Sequence, residues 1–462
     1  MTKQKSLSLF TLVMLITVSI DNIRNLSLTA LFGSKLIFFF FVGGFLFLIP
    51  TGLIAAELTQ QHTDDSGIYI WVKKAFGTHF GFLAIWLQWV NTLVWYPTTL
   101  SFIAGSLIFS INPHLAQNPW LITMIIIITF WLLTIINLRG LNTSAHFASI
   151  CAIIGLIIPL IMIIGLATYW AITHHPIQPF FQPKHIIPSL HSSQSWVSIV
   201  AIITSFLGME LISVHASRIH QASKRLPKAI IISSVIILVT MLAGSLAVAA
   251  IIPAKKLSLV AGIMQEFHFL LQASGLLWLQ PIMATLIIIG ALGSMVNWII
   301  SPAQGLLQAS ADGYLPKTLH QQNRLEVPSR ILILQAILVT ISSSIFILMP
   351  NINSSYWLLS DLSTELYLIM YTMMFIAAIA LYVKNRTLSP IMQKIGGKWA
   401  LYLLCILGLV ACFITLFMGF IPPNEINTGP HGHFSLIFTF GLILMLTPCL
   451  FGYYYWHQRK KH

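Results

Sequence analysis

Thr17-Val18-Ser19-Ile20-Asp21-Asn22-Ile23-Arg24-Asn25 sets an aspartate and an arginine in the middle of an apolar run that extends from about residue 7 to residue 31. Charges at that depth in hydrocarbon are costly, and they usually face a cavity or one another. The stretch therefore reads as a membrane span that carries two costly charges near its middle. Asp21 and Arg24 stand three residues apart, a spacing that allows either a local ion pair or contact with a bound ligand.

The rest of the chain agrees with a lipid environment. Of 462 residues, 57% are hydrophobic and 8% are charged, whereas a soluble domain carries roughly 25% charged residues. Apolar stretches long enough to cross about 30 Å of hydrocarbon recur at about 7–31, 36–58, 81–111, 120–137, 146–172, 195–217, 229–252, 276–306, 331–349, 356–383, 400–421 and 434–456. This gives about twelve helices in one polytopic domain over 1–462, with no soluble domain expected beside it. The first run lacks a small-residue cleavage site and continues into further spans, so it is expected to stay in the mature chain.

Lys and Arg collect in cytoplasmic loops. With both termini inside, 19 of the 24 basic residues fall on the cytoplasmic side, among them Lys73, Lys74, Arg139, Arg225, Lys228, Lys317, Arg330, Lys384 and Lys398. Lys35, Lys184, Lys255 and Lys256 remain outside, and Arg24 lies within a span. The net charge of +13 thus reflects topology and contact with anionic lipid. Basic residues scattered over many loops give no reason to expect a nucleic acid partner.

The four cysteines, Cys151, Cys405, Cys412 and Cys449, fall in apolar runs without metal-ligand spacing, so lipid-buried packing is expected. His174, His175, His185 and His191 share one loop at irregular spacing, and no metal site is expected there. The chain has neither a phosphate-binding glycine loop followed by lysine nor a serine elbow, so no cofactor and no enzymatic activity are expected.

Between the second and third spans the chain reads Pro50-Thr51-Gly52-Leu53-Ile54-Ala55-Ala56-Glu57-Leu58, then Asp65-Ser66-Gly67-Ile68-Tyr69-Ile70-Trp71-Val72 and Ala75-Phe76-Gly77. This resembles the amino acid–polyamine–organocation permeases, which carry a proline in the second helix, an alanine-glutamate at its cytoplasmic end and a glycine-tyrosine-x-tryptophan run into the third. Asp65-Ser66 stands where many members have a proline or a second glycine. Tyr69 and Trp71 also suit an interfacial aromatic anchor. Ile252-Pro253-Ala254-Lys255-Lys256 through Gln265-Glu266-Phe267, Ile395-Gly396-Gly397-Lys398 and Phe420-Ile421-Pro422-Pro423-Asn424 narrow the resemblance to the glutamate/γ-aminobutyrate antiporters, over about residues 8 to 456.

The resemblance implies an all-α integral membrane protein of leucine-transporter type. Its two inverted five-helix repeats would cover about 7–172 and 195–383, with two additional helices over 400–456, and its first and sixth helices would be broken at the midplane. Unwinding there frees backbone groups to hold a zwitterion. Thr204-Ser205-Phe206-Leu207-Gly208-Met209-Glu210 is similar to the family's sixth-helix break. Ser19, Asp21, Arg24, Ser205 and Gly208 are therefore candidate substrate contacts. Glu210 is an intramembrane carboxyl suited to proton coupling, to gating, or to a purely structural link between helices.

Asn297-Trp298-Ile299-Ile300-Ser301-Pro302 in the eighth span and Tyr367 with Tyr371 in the tenth look like path-lining residues of those antiporters. Tyr367 and Tyr371 are four apart and share a helical face. Asp361 and Glu365 repeat that spacing, so the four can make one polar stripe, with the acids as candidate coupling or gating groups. Downstream of the sixth span the family's latch acid is replaced by Arg218 within Arg218-Ile219-His220-Gln221-Ala222-Ser223-Lys224-Arg225. The segment after the last span, His457 to His462, is too short for the tail that plugs the path in some relatives.

The function expected is secondary transport of amino acids, of glutamate/γ-aminobutyrate antiporter type, in the cell membrane. Two other readings stay open: a proton-coupled or exchange permease for cationic amino acids or polyamines, and a membrane amino acid sensor that no longer transports. An amino acid or amine, protons and the bilayer are the expected partners.

Overall fold

The structure is a computed structural model, and it describes residues 8–61, 67–139, 145–173, 186–189, 191–211, 222–310, 312–325, 327–430 and 432–460. Among the described residues every regular element is helical. In chain order they are α1 (Leu9–Ile20), α2 (Arg24–Ala30), α3 (Leu36–Gly43), α4 (Ile49–Gln61), α5 (Ile68–Phe76) and α6 (Thr78–Ile111). Then follow α7 (Pro119–Leu138), α8 (Ala145–Ile172), α9 (Ser193–Ser205), α10 (Ala222–Ile251), α11 (Gly262–Ala273) and α12 (Gln280–Ser310). The last are α13 (Ser329–Ser343), α14 (Ile345–Leu348), α15 (Ile352–Asn385), α16 (Pro390–Ile395), α17 (Gly397–Met418) and α18 (His433–Lys460).

Among the described residues eleven spans are long and apolar enough to cross a membrane, and α1 with α2, bent by 57° at their break, makes a twelfth. Large apolar side chains point outward along them, including Phe41, Ile128, Leu132, Phe413 and Phe440, each more than half exposed. In water such a surface would be a liability; against acyl chains it is the expected one.

Local sequence sets the helix starts. Asn118 caps α7, its Oδ1 accepting from Trp120 N at 3.0 Å and Leu121 N at 3.2 Å, with Pro119 at the first helical position where no N–H is needed. Asn351 and Ser354 form a reciprocal capping box that opens α15.

Prolines inside spans leave carbonyls without their usual partner four residues on, and neighbouring helices supply replacements. Pro97 withholds its amide from Leu93, whose carbonyl instead accepts from Ser342 Oγ of α13 at 2.7 Å. Pro302 does the same to Trp298, whose carbonyl accepts from Tyr96 Oη of α6 at 2.7 Å. Helices α8 and α12 meet backbone to backbone: a Cβ on Gly155 would lie 2.4 Å from Gly290 Cα, the close approach that small residues allow in lipid.

The centre of the molecule is α6 against α15. Both are 34 residues long, and each carries buried polar side chains: Asn91, Thr92, Thr98 and Thr99 on one, Ser355, Ser360, Ser363 and Thr364 on the other, with Ser363 Oγ meeting Asn91 Oδ1 across the two at 3.3 Å. The expected latch segment around Arg218 and the loop histidines His174, His175 and His185 lie outside the described residues. So does the side chain of Cys151, while Cys405, Cys412 and Cys449 are buried and unpaired by disulfides. Trp71 is fully buried, which corrects its reading as an interfacial anchor; Tyr69 lies half-buried under Lys73 Nζ, 5.1 Å from its ring centre.

Candidate substrate cavity at two helix breaks

The first span stops being helical where short polar side chains compete for the backbone. Asp21 N donates to Thr17 O at 2.7 Å and closes the last turn of α1; Asn22 Oδ1 accepts from Arg24 N at 3.2 Å and opens α2. The span of α9 stops at Ser205, where Phe206 turns out of the helix and Gly208 takes a φ of 111°, a conformation that a side chain would strain. A Cβ at Gly208 would stand 3.5 Å from the carbonyl oxygen of Ser19. The two interruptions lie against each other.

Between them and the polar faces of α6, α12 and α15 is a cavity of about 70 Å³. Ser19, Asn22, Arg24 and Asn25 reach it from the first break, Thr204 and Leu207 from the second, and Asn91, Thr92 and Trp95 from α6. Ser294 and Trp298 come from α12, and Ser360, Ser363 and Tyr367 from α15. Trp95 and Trp298 pack with ring centres 5.3 Å apart. Arg24 is the one lining residue with a formal charge among those described. Its Nη1 donates to Thr98 Oγ1 at 2.7 Å, its Cζ sits 5.3 Å from the centre of the Trp95 ring, and its Nε has no partner among the described residues.

Behind the cavity a hydrogen-bonded cluster ties α15 to the broken α9. Tyr367 Oη and Tyr371 Oη both donate to the Glu210 carboxyl group, and Gly208 N donates to Tyr371 Oη at 2.9 Å. Thr204 and Thr364 join the same two helices through a 2.7 Å hydroxyl contact. The arrangement can hold a small polar ligand at the break while fixing the unwound segment to a neighbouring span.

A model of the family described as amino acid permease matches residues 7–446. The chain belongs to the amino acid permease family. This permease is 35% identical over 459 residues to an uncharacterized transporter of Legionella pneumophila, covering 99% of the chain and 97% of that protein. It is 29% identical over 465 residues to a glutamate/gamma-aminobutyrate antiporter of Lactococcus lactis, covering 99% and 92%. It is 26% identical over 391 residues to a probable agmatine/putrescine antiporter of the same species, covering 84% and 81%. It is an all-α, multi-pass membrane transporter of the amino acid–polyamine–organocation group, with the similarity to glutamate/γ-aminobutyrate antiporters running nearly end to end.

Of the residues singled out in the permease's sequence, Ser19, Arg24, Trp298 and Tyr367 line the cavity. Asp21 does not: its Oδ2 accepts from Thr240 Oγ1 of α10 at 2.7 Å, and it makes no ion pair with Arg24. The helix break separates the two, so the helical spacing that would have joined them no longer applies. Ser205 turns back on its own helix, donating to Ala201 O at 2.9 Å. Gly208, Tyr371 and Glu210 stand one layer behind the lining.

Asp361 and Glu365 do not share a stripe with Tyr367 and Tyr371. Six residues of helix rotate a side chain to a face about 120° away, and these acids point to α17, where a Cβ on Gly419 would lie 2.1 Å from Glu365 Oε1 and 2.9 Å from Asp361 Oδ1. Sequence reasoning missed Asn22, Asn25, Asn91, Thr92, Trp95, Thr204, Ser294, Ser360 and Ser363. The signal for α6 was present: Asn91, Thr92, Trp95, Thr98 and Thr99 recur at helical spacing just around Pro97.

Proposed function

We propose that this permease is an amino acid antiporter of glutamate/γ-aminobutyrate type that works by alternating access. The observation that carries the reading is the meeting of two helix interruptions at one polar cavity, with Gly208 against the Ser19 carbonyl. Helices α1 and α9 both end there, and carbonyl-rich helix C-termini favour a cationic group. Arg24 supplies a fixed positive charge in the same cavity. A ligand with an ammonium at one end and a carboxylate at the other matches that dipolar lining.

In this reading the loaded carrier reorients and the empty one does not, so one substrate leaves as another enters. The clamp of Tyr367 and Tyr371 on Glu210 holds the α9 break during the swing, which makes Glu210 a gating group. Asp361 and Glu365 act as gating groups between α15 and α17 rather than as ligands of the substrate. The basic-residue bias supports a cell membrane location with both termini cytoplasmic. The cationic-substrate alternative loses its main support, since the acids that favoured it are absent from the cavity lining.

Counterflow in proteoliposomes tests the reading. Vesicles are loaded with mixed amino acids and amines, and labelled glutamate, γ-aminobutyrate, glutamine and arginine are offered outside in turn. Uptake of glutamate or γ-aminobutyrate that requires internal exchanger is expected. Uptake of arginine alone would replace this reading with the cationic permease, and binding of a ligand without movement of any label would replace it with the sensor.

A further inference from the structure

Arginine keeps its proton at any physiological pH, so its burial always buries a charge, and a buried charge lacking a counter-ion is strongly destabilising. Arg24 is 4% exposed. Its neighbours among the described residues are neutral: the Thr98 hydroxyl at 2.7 Å, the face of Trp95 at 5.3 Å and the Tyr356 hydroxyl. Its Nε is buried and has no partner among the described residues. The ion pair found among the described residues joins Lys73 to Asp312 and leaves Arg24 without a carboxylate. The nearest acid in sequence, Asp21, is committed to Thr240 on α10. A permanent cation thus stands at the wall of the central cavity with no anion beside it among the described residues.

The missing anion is one the transported molecule can bring. Two substrates that exchange through one site must be held by what they have in common. Glutamate and γ-aminobutyrate differ by the α-carboxylate and share the carboxylate at the far end of the chain. We propose that Arg24 binds this shared distal carboxylate and is the residue that selects carboxylate-bearing substrates over diamines; the inference rests on the antiporter reading given above. Guanidinium geometry suits it, since two N–H groups can meet two carboxylate oxygens side by side. Thr98 and Trp95 hold the guanidinium from one edge and one face. Binding would convert an uncompensated buried charge into a paired one, and a putrescine ammonium at the same place would add a second positive charge instead.

Competition against labelled γ-aminobutyrate uptake into glutamate-loaded proteoliposomes, together with thermal stabilisation of the purified protein, provides the test. The probe is 4-aminobutanamide, which keeps the chain and ammonium of γ-aminobutyrate and replaces its carboxylate with a neutral amide. Losing one partner of a buried charge pair predicts that the amide competes about thirtyfold or more weakly than γ-aminobutyrate. In Arg24→Gln the two should compete within about threefold of each other, and Arg24→Lys should restore part of the gap. The wild-type series needs no variant to fold. Equal competition by the amide in wild type, or a full gap surviving in Arg24→Gln, overturns the assignment to Arg24 while leaving exchange itself standing. If no label moves but γ-aminobutyrate stabilises the protein and the amide does not, the antiporter reading falls and the role of Arg24 stands.

Discussion

The amide of Gly208 donates to the Tyr371 hydroxyl at 2.9 Å, and the same hydroxyl donates to Glu210. One oxygen on α15 therefore satisfies both ends of the unwound turn that follows α9. Tyr367 reaches Glu210 alone. Tyr371→Phe leaves an amide and a carboxyl oxygen short of a partner at the break, a cost of about 1–3 kcal/mol, and Tyr367→Phe leaves only the carboxyl oxygen short. We predict that exchange in proteoliposomes slows by about tenfold or more in Tyr371→Phe and distinctly less in Tyr367→Phe. Equal rates for the two variants would remove Gly208 from the account of how the break is held.

A second relationship links a missing donor to its substitute. Pro302 has no N–H for the Trp298 carbonyl, and Tyr96 supplies one at 2.7 Å. In Tyr96→Phe that carbonyl is orphaned, and the protein should lose about 1 kcal/mol of stability, a typical net value for one such bond. Adding Pro302→Ala returns the intrahelical donor, so the double variant should be more stable than Tyr96→Phe alone. Thermal unfolding in detergent of wild type, both single variants and the double variant gives the coupling directly. Strict additivity would mean that Tyr96 holds α12 through its ring, not its hydroxyl.

The sequence was readable wherever a rule acts along the chain. Span number follows from apolar length, and the cost of Asp21 and Arg24 follows from charge in an apolar run. The breaks at Asp21 and Gly208 were legible only through the resemblance to the family's first and sixth helices. Orientation about a helix axis was not readable. Asp361 and Tyr367 belong to one helix and both are polar, but only packing decides that the former faces Gly419 and the latter the cavity. Spacing likewise allowed Asp21 to meet Arg24, because spacing assumes a continuous helix and Asn22 interrupts it. The partners that matter most are far away in sequence: Arg24 with Thr98, Asp21 with Thr240 and Gly208 with Tyr371.

Gly419 illustrates how narrow the contact between α15 and α17 is. Its φ of −60° is ordinary for any residue, so what an added Cβ meets is spatial: it would lie 2.1 Å from Glu365 Oε1, and that carboxyl group must shift to admit it. Overpacking of this kind costs about 1–3 kcal/mol. Gly419→Ala should lower the unfolding temperature, and Gly419→Ala combined with Glu365→Ala, which removes the colliding carboxyl group, should recover much of the loss. A Gly419→Ala protein as stable as wild type would show that the acid pair moves aside freely.

Glu266 lies on α11, a 12-residue helix too short to span, and it is fully buried with no hydrogen-bond partner among the described residues on either carboxyl oxygen. The same helix packs on the broken first span through Gly262, whose added Cβ would meet Ser27 Oγ at 2.6 Å. Burial holds the Glu266 carboxyl well above its ordinary value of 4.5, so the folded protein keeps a proton that the unfolded chain releases above that pH. Stability rises with pH only where the unfolded state binds more protons; here it binds fewer. This carboxyl therefore subtracts from stability by about 1.4 kcal/mol for each pH unit above about 4.5 until its own folded value is reached. Glu266→Gln keeps the shape and abolishes the titration. The unfolding temperature of the variant should accordingly exceed that of wild type by a margin that grows from pH 5 to pH 8, and a constant margin across that range would mean that Glu266 does not bind its proton in the folded protein.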